Sequence, residues 1–183
     1  MHPEFRPNIS ALLAVLVALC CCVPVAMAAF VTELTEDDIE HSLQTDFPAR
    51  EYAAFARVTL LSAEVKLTAG SQHLRLIIPV EINIPGEPPH RGEAQVNTSL
   101  NYKPVTGELF FAAPELQSFS LADVSEKLAQ DTRQVVEVLI KNTLPLIRIY
   151  QLKEHDLNHS LSKSLLKSQR IEETKLILEF GFD

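Results

Sequence analysis

The sequence predicts an α+β domain: an antiparallel sheet covered by one long helix, with short flanking helices. Three observations carry the prediction. Between Phe55 and Leu121 the apolar residues recur at every second position, as in strands with one buried face. Turn-rich segments separate these runs, which makes successive strands antiparallel neighbours. Between Ala122 and Tyr150 the apolar residues recur at helical spacing instead, and this stretch is the natural cover for the sheet.

The first element is a short helix. Thr35 is its expected N-cap, Asp38 sits at the capping-box position, Leu34 can staple onto Ile39, and Glu36, Asp37 and Asp38 suit the positive end of the dipole. Ile39 and Leu43 share its buried face, and Phe47-Pro48 is read as its end. The next run alternates through Val58 and Leu60, slips at Leu61-Ser62, and resumes at Ala63, Val65 and Leu67, the pattern of a strand bent by a bulge. Leu74, Leu76, Ile78, Val80 and Ile82 then share one face of a second strand, whose Pro79 implies an edge position or a local bulge. Beyond Pro85-Gly86-Glu87-Pro88-Pro89, a third strand sets Ala94, Val96, Thr98, Leu100 and Tyr102 against an entirely polar outer face. The turn Lys103–Gly107 leads to a fourth strand through Leu109 and Phe111, interrupted at Pro114 and continuing towards Leu121.

The covering helix is read from Ala122 to Tyr150, with Asp123 and Glu126 at its start. Val124, Leu128, Val135, Val138, Leu139, Leu146 and Ile149 form one apolar stripe, and Val136, Ile140, Thr143 and Ile147 form a second beside it. Pro145 is expected to kink it. A third helix is read over about Asp156 to Ser168 from Leu157, Leu161 and Leu165, and a last strand from Leu176, Leu178 and Phe180.

The uncharged run from Ile9 to Val31 follows Arg6 and closes on Ala26-Met27-Ala28, the layout of a secretory signal with cleavage after Ala28. An uncleaved anchor and a lipid-attached cysteine stay open as alternatives, because the run is long enough to span a bilayer and contains Cys20, Cys21 and Cys22. Residues 29–183 are then one domain without cysteine, so stability comes from an ordinary core. Residues 1–28 carry only Glu4 and Arg6, so their loss leaves the net charge at −8. That acidity argues against nucleic acid and against anionic headgroups bound by bulk electrostatics.

Catalytic motifs are sparse. His155 and His159 have the spacing that puts two imidazoles on one helical face for zinc, but Asp156 stands where the metalloprotease motif has Glu, and no third ligand follows. These histidines read better as exposed residues near a helix start. Asn97-Thr98-Ser99 and Asn158-His159-Ser160 match the glycosylation sequon, which matters in a eukaryotic secretory pathway. There is no nucleophile elbow and no phosphate-binding glycine loop. The sequence therefore implies a protein that is not an enzyme, with no metal and no cofactor.

Three segments carry a family resemblance. Leu34 to Leu43 resembles the opening helix of the YceB-like family of bacterial envelope proteins, whose function is unassigned; Thr143-Leu144-Pro145-Leu146 resembles the proline step in its long helix, and Leu176 to Phe180 its closing strand. The resemblance implies a strongly curved antiparallel sheet wrapped around the long helix, similar to the tubular lipid-binding (TULIP) superfamily, which holds lipids in an apolar channel. Family members are typically lipoproteins with a well-formed lipobox; here Cys20 follows Leu19 and the other two cysteines each follow a cysteine, so none of the three fits that motif well. The expected function is a periplasmic envelope protein binding a lipid or other apolar ligand. The expected channel residues are Val80, Ile82, Val96, Leu100, Leu109 and Phe111 on the sheet and Leu128, Val135, Val138, Leu139 and Asn142 on the helix, with Asp131 as a further polar break in the stripe. The alternative is a structural or interaction component with a filled core and an envelope protein partner. Oligomeric state is left open by the sequence.

Overall fold

The computed structural model describes residues 30–52, 56–152 and 165–181. A strongly curled, half-barrel antiparallel sheet packs against one main helix. Seven strands form this sheet: β2 (Ala49–Tyr52), β3 (Arg57–Leu60), β4 (Glu64–Lys66), β5 (Leu74–Asn83), β6 (His90–Lys103), β7 (Glu108–Leu121) and β8 (Arg148–Gln151). Their order is β2-β3-β5-β6-β7-β8, with β4 beside β3 on the same flank of β5. A second, three-stranded sheet has the order β1-β10-β9, from β1 (Phe30–Thr35), β9 (Leu165–Glu172) and β10 (Lys175–Gly181). The helices are α1 (Glu36–Leu43) and α2 (Glu126–Thr143), and a 3-10 turn at Leu144–Leu146 follows α2.

The alternation in β5 is exact in its consequence. Leu74, Leu76, Ile78, Val80 and Ile82 are all buried while their neighbours are not, and Ala94, Val96 and Thr98 of β6 join them. Of the two readings of Pro79, an edge position or a local bulge, the edge does not hold, since β5 is flanked on both sides. The proline is tolerated because the neighbouring strand breaks there. β3 ends opposite Val80 and β4 begins opposite Ile77, and between them the Leu61 amide donates to the Pro79 carbonyl at 2.9 Å. Pro79 thus lacks an N–H on the side where no ladder partner waits for it.

Pro114 does not interrupt β7 either. It lies at a bulge, where Ala113 takes a positive φ of 45° and the β6–β7 register shifts between Asn97 and Ser99. The Ala112 carbonyl released by the bulge accepts from the Thr98 and Ser99 hydroxyls at 2.9 and 3.0 Å. Buried Thr98 is satisfied in this way. A second shift at Gln95/Val96 and one between β7 and β8 add bend to the same region. Gly107, at φ 66°, closes the β6–β7 turn in a conformation side chains rarely adopt.

Several elements differ from the sequence reading. α1 is capped by Thr35 as expected, but β1 precedes it directly, paired with β10 from Phe30↔Phe180 to Thr35↔Lys175. α1 also stops at Leu43, before Phe47. The covering helix starts from Ser125, not Asp123, which sits at φ 57°, and it ends at Thr143. Pro145 follows in the 3-10 turn, and Arg148 to Tyr150, read as helix, belong to β8, which pairs with β7. Leu165 to Ser168, read as helix, belong to β9. The rest of that third helix, with His155 and His159, and the signal-like segment 1–28 lie outside the described residues. Of the short flanking helices, α1 is the one present among the described residues.

The outer edge of β4 is closed by side chains of α1. Glu40 and Glu36, one helical turn apart, accept the amides of Val65 and Leu67, two residues apart, each at 2.7 Å. An edge strand that would otherwise offer free donors is thereby blocked. Glu40→Ala is expected to cost about 1–3 kcal/mol, the price of leaving such a donor unmet, with faster hydrogen exchange at Val65; unchanged exchange there would contradict the role. Asp38, hydrogen-bonded to the hydroxyl and amide of Thr35, has its carboxyl held below the usual aspartate range. A lowered folded-state pKa stabilises at neutral pH and is lost on acidification. The urea midpoint of Asp38→Asn should therefore lie below that of the parent at pH 7, with the gap closing as pH falls below about 4.

Candidate functional site

The site grows from the way α2 divides its two apolar stripes. Thr132, Val136, Leu139 and Ile140 are the residues of α2 that the sheet buries. This is largely the second stripe of the sequence reading, continued by Leu144 and Ile147 beyond the helix. The first stripe is only partly used. Leu128 and Val135 are half-buried, Val138 is 55% exposed and Leu146 is 77% exposed. Burial of a Val, Leu or Ile side chain is worth about 1.5–3 kcal/mol, so the side carrying Val136, Leu139 and Ile140 sets the rotation of the helix.

Val138 is left beside the sheet's edge. β2 is the terminal strand, bonded to β3 through Glu51↔Val58 and Tyr52↔Arg57. Tyr52 is 73% exposed. Between β2 and α2 lies a groove of about 290 Å³ lined by Glu51, Tyr52, Gln134, Val135 and Val138. Tyr52, Val135 and Val138 make its lining largely apolar, with Glu51 and Gln134 as the polar members. On the same helix, Lys141 bonds Glu137 at 2.7 Å and holds the Glu137 carboxyl below the usual glutamate range.

The expected channel residues do not converge on one space. Val80, Ile82, Val96, Leu109, Phe111 and Leu139 are buried in a continuous core that also takes in Ile39, Leu43, Leu60 and Phe180. Leu100 is partly buried and faces another place, a cleft of about 290 Å³ between the two sheets lined with Leu74, Ile171 and Leu176 under Ser71, Gln72, His73, Gln169 and Arg170. Val138 and Asn142 are exposed, so neither faces the buried side of the sheet with the others. The division has a simple cause: both stripes have helical period, and only the position of the sheet decides which is inward. Tyr52 and Glu51 went unrecognised because β2 is too short to show an alternation; the exposed aromatic beside a run of charges was the one available signal.

Within the core, the Thr132 hydroxyl is fully buried and has no hydrogen-bond partner among the described residues. Among those residues no three His, Cys, Asp or Glu side chains are grouped to hold a metal, and no helix is long and apolar enough to cross a membrane.

The fold thus defines a curled antiparallel sheet with one main covering helix and an apolar groove at its open edge. Residues 34–175 match the model of DUF1439, a protein family of unknown function, and the chain belongs to that family. A search of curated proteins finds no match.

Thr132→Val is expected to raise stability by about 1 kcal/mol in denaturant unfolding, because it removes an unpaired buried hydroxyl at nearly constant shape. A loss of stability would show that the hydroxyl has a partner.

Proposed function

We propose that this protein is an exported, periplasmic envelope protein of YceB-like type that binds a lipid or other apolar ligand in the groove between α2 and the β2 edge. The observation that carries the reading is the apolar surface of Val135, Val138 and Tyr52, left on the outside where the main helix meets the terminal strand β2. Covering such surface is worth about 25 cal/mol per Å². A groove near 300 Å³ is at the lower end of small-molecule sites, suited to part of a lipid rather than a whole one. The half-barrel architecture supports the likeness to tubular lipid-binding proteins by analogy of fold. The signal-like segment closing on Ala28, two residues before β1 begins at Phe30, supports release into the periplasm.

Native mass spectrometry of protein purified from its own envelope, with extraction of bound lipid, tests the reading. Lipid should co-purify with the parent and be lost in Val138→Glu, while the unfolding free energy stays within about 0.5 kcal/mol, as for other exposed positions. Absence of lipid from the parent, or its retention by the variant, would count against the groove.

A further inference from the structure

β6 is longer than the strand beside it. β5 begins at Leu74, opposite Thr98, whereas β6 runs on to Lys103. Beyond Thr98 the second sheet stands where β5 has ended, and two contacts join it to the first: the Tyr102 and Phe180 rings, 5.3 Å between centroids, and the Gly70 amide, which donates to the Ile171 carbonyl at 3.0 Å. The cleft of about 290 Å³ described above stays open between the sheets. Its apolar lining is the buried side chains of Leu74, Ile171 and Leu176 with the partly buried Leu100.

We propose that this cleft binds the ring of a neutral saccharide. Its polar groups are built into the strands and the loop before β5. The Ile171 carbonyl leaves β9 on the side away from β10 to reach Gly70, and main-chain groups of alternate residues in a strand point the same way. The N–H and C=O of Gln169 therefore open toward the cleft that this residue lines, and neither has a partner among the described residues. The side-chain amides of Gln72 and Gln169, one from the loop and one from β9, are likewise unspent among those residues. The loop is held in place by Ser71, whose hydroxyl donates to the His73 carbonyl at 2.8 Å and accepts from the His73 amide at 3.0 Å.

The lining disfavours three other kinds of ligand. Arg170 is its one permanent charge, and it is bonded to Glu172 at 2.6 Å and to Glu179 at 3.5 Å. An ionic ligand would lose hydration here and find no free counter-charge. A wholly apolar ligand would cover the Gln169 main-chain groups and leave them unpaired. A flat aromatic ligand finds no Phe, Tyr or Trp in the lining to stack on. A sugar ring meets each demand. Its hydroxyls both donate and accept, as do the side-chain amides and the Gln169 backbone, and its C–H faces rest on the leucine and isoleucine side chains. The cleft shares no lining residue with the groove beside α2, so either site can fail without the other.

Amide NMR of the purified protein with a matched set of probes tests the proposal. The neutral sugars are glucose, galactose, mannose and N-acetylglucosamine; glucuronate adds a charge to the glucose ring, cyclohexanol removes all hydroxyls but one, and N-acetylalanine N-methylamide supplies an uncharged peptide unit. At least one neutral sugar should shift the amides of Gln72, His73, Leu100 and Gln169 at concentrations up to about 10 mM, leaving those of Tyr52 and Val138 in place. The three controls should produce no shift over the same range. Gln72→Ala and Gln169→Ala should each weaken binding about fivefold, the effect of one hydrogen bond, with the thermal midpoint unchanged. A disaccharide that binds more tightly than its monosaccharide supports the site as one for a glycan chain, and equal binding supports it as one for a free sugar. The proposal is overturned if no neutral sugar moves these amides, if any control binds as well as the best sugar, or if both variants bind like the parent.

Discussion

The curl of the seven-stranded sheet is the constraint from which the remaining arrangement follows. β4 and β8 are separated in the sheet order by β5, β6 and β7. In a flat sheet they would lie about 19 Å apart, beyond the reach of one short helix. Yet α1, two turns long, packs against both. The bulges of β6 and β7 supply the bend, and the carboxylates of Glu36 and Glu40 hold the helix to β4 once the bend has brought it there. Ile39 and Leu43, fully buried, fill the space so enclosed.

The same curl divides the work of α2. It buries Thr132, Val136, Leu139 and Ile140 and leaves Val138 outside. A flat sheet would ask for one apolar stripe and no more; here the second stripe borders β2, where the sheet stops. The two terminal strands of the sheet, β2 and β8, each border a groove, one apolar and one mixed.

Much of this was legible locally. The alternation of β5 named its buried residues, that of β6 named Ala94, Val96 and Thr98 though Leu100 and Tyr102 are only partly buried, and Thr35 with Asp38 named the start of α1, because each pattern depends only on neighbours in the chain. β1 was not legible, since its partner β10 lies at the other end of the chain and Phe30, Thr32 and Leu34 alternate too briefly to stand out. β8 and β9 were misread as helix for a related reason: Leu161 and Leu165, or Leu146 and Ile149, fit a helical period over a few residues, and only pairing with another strand decides otherwise. Among the candidate site residues, burial of Val80, Ile82, Val96, Leu109 and Phe111 was foreseen, but not that the exposed Val138 would face Tyr52.

The sequence by itself determined which residues alternate, where the chain turns, where α1 is capped and that the domain is acidic, because these are set by side-chain chemistry and spacing along the backbone. Tertiary structure decided which stripe of α2 faces inward, how far that helix runs before Pro145, that Pro79 can sit in a central strand, and which edges are closed. Each of those depends on a partner distant in the chain, whose position exists only after the sheet has curled.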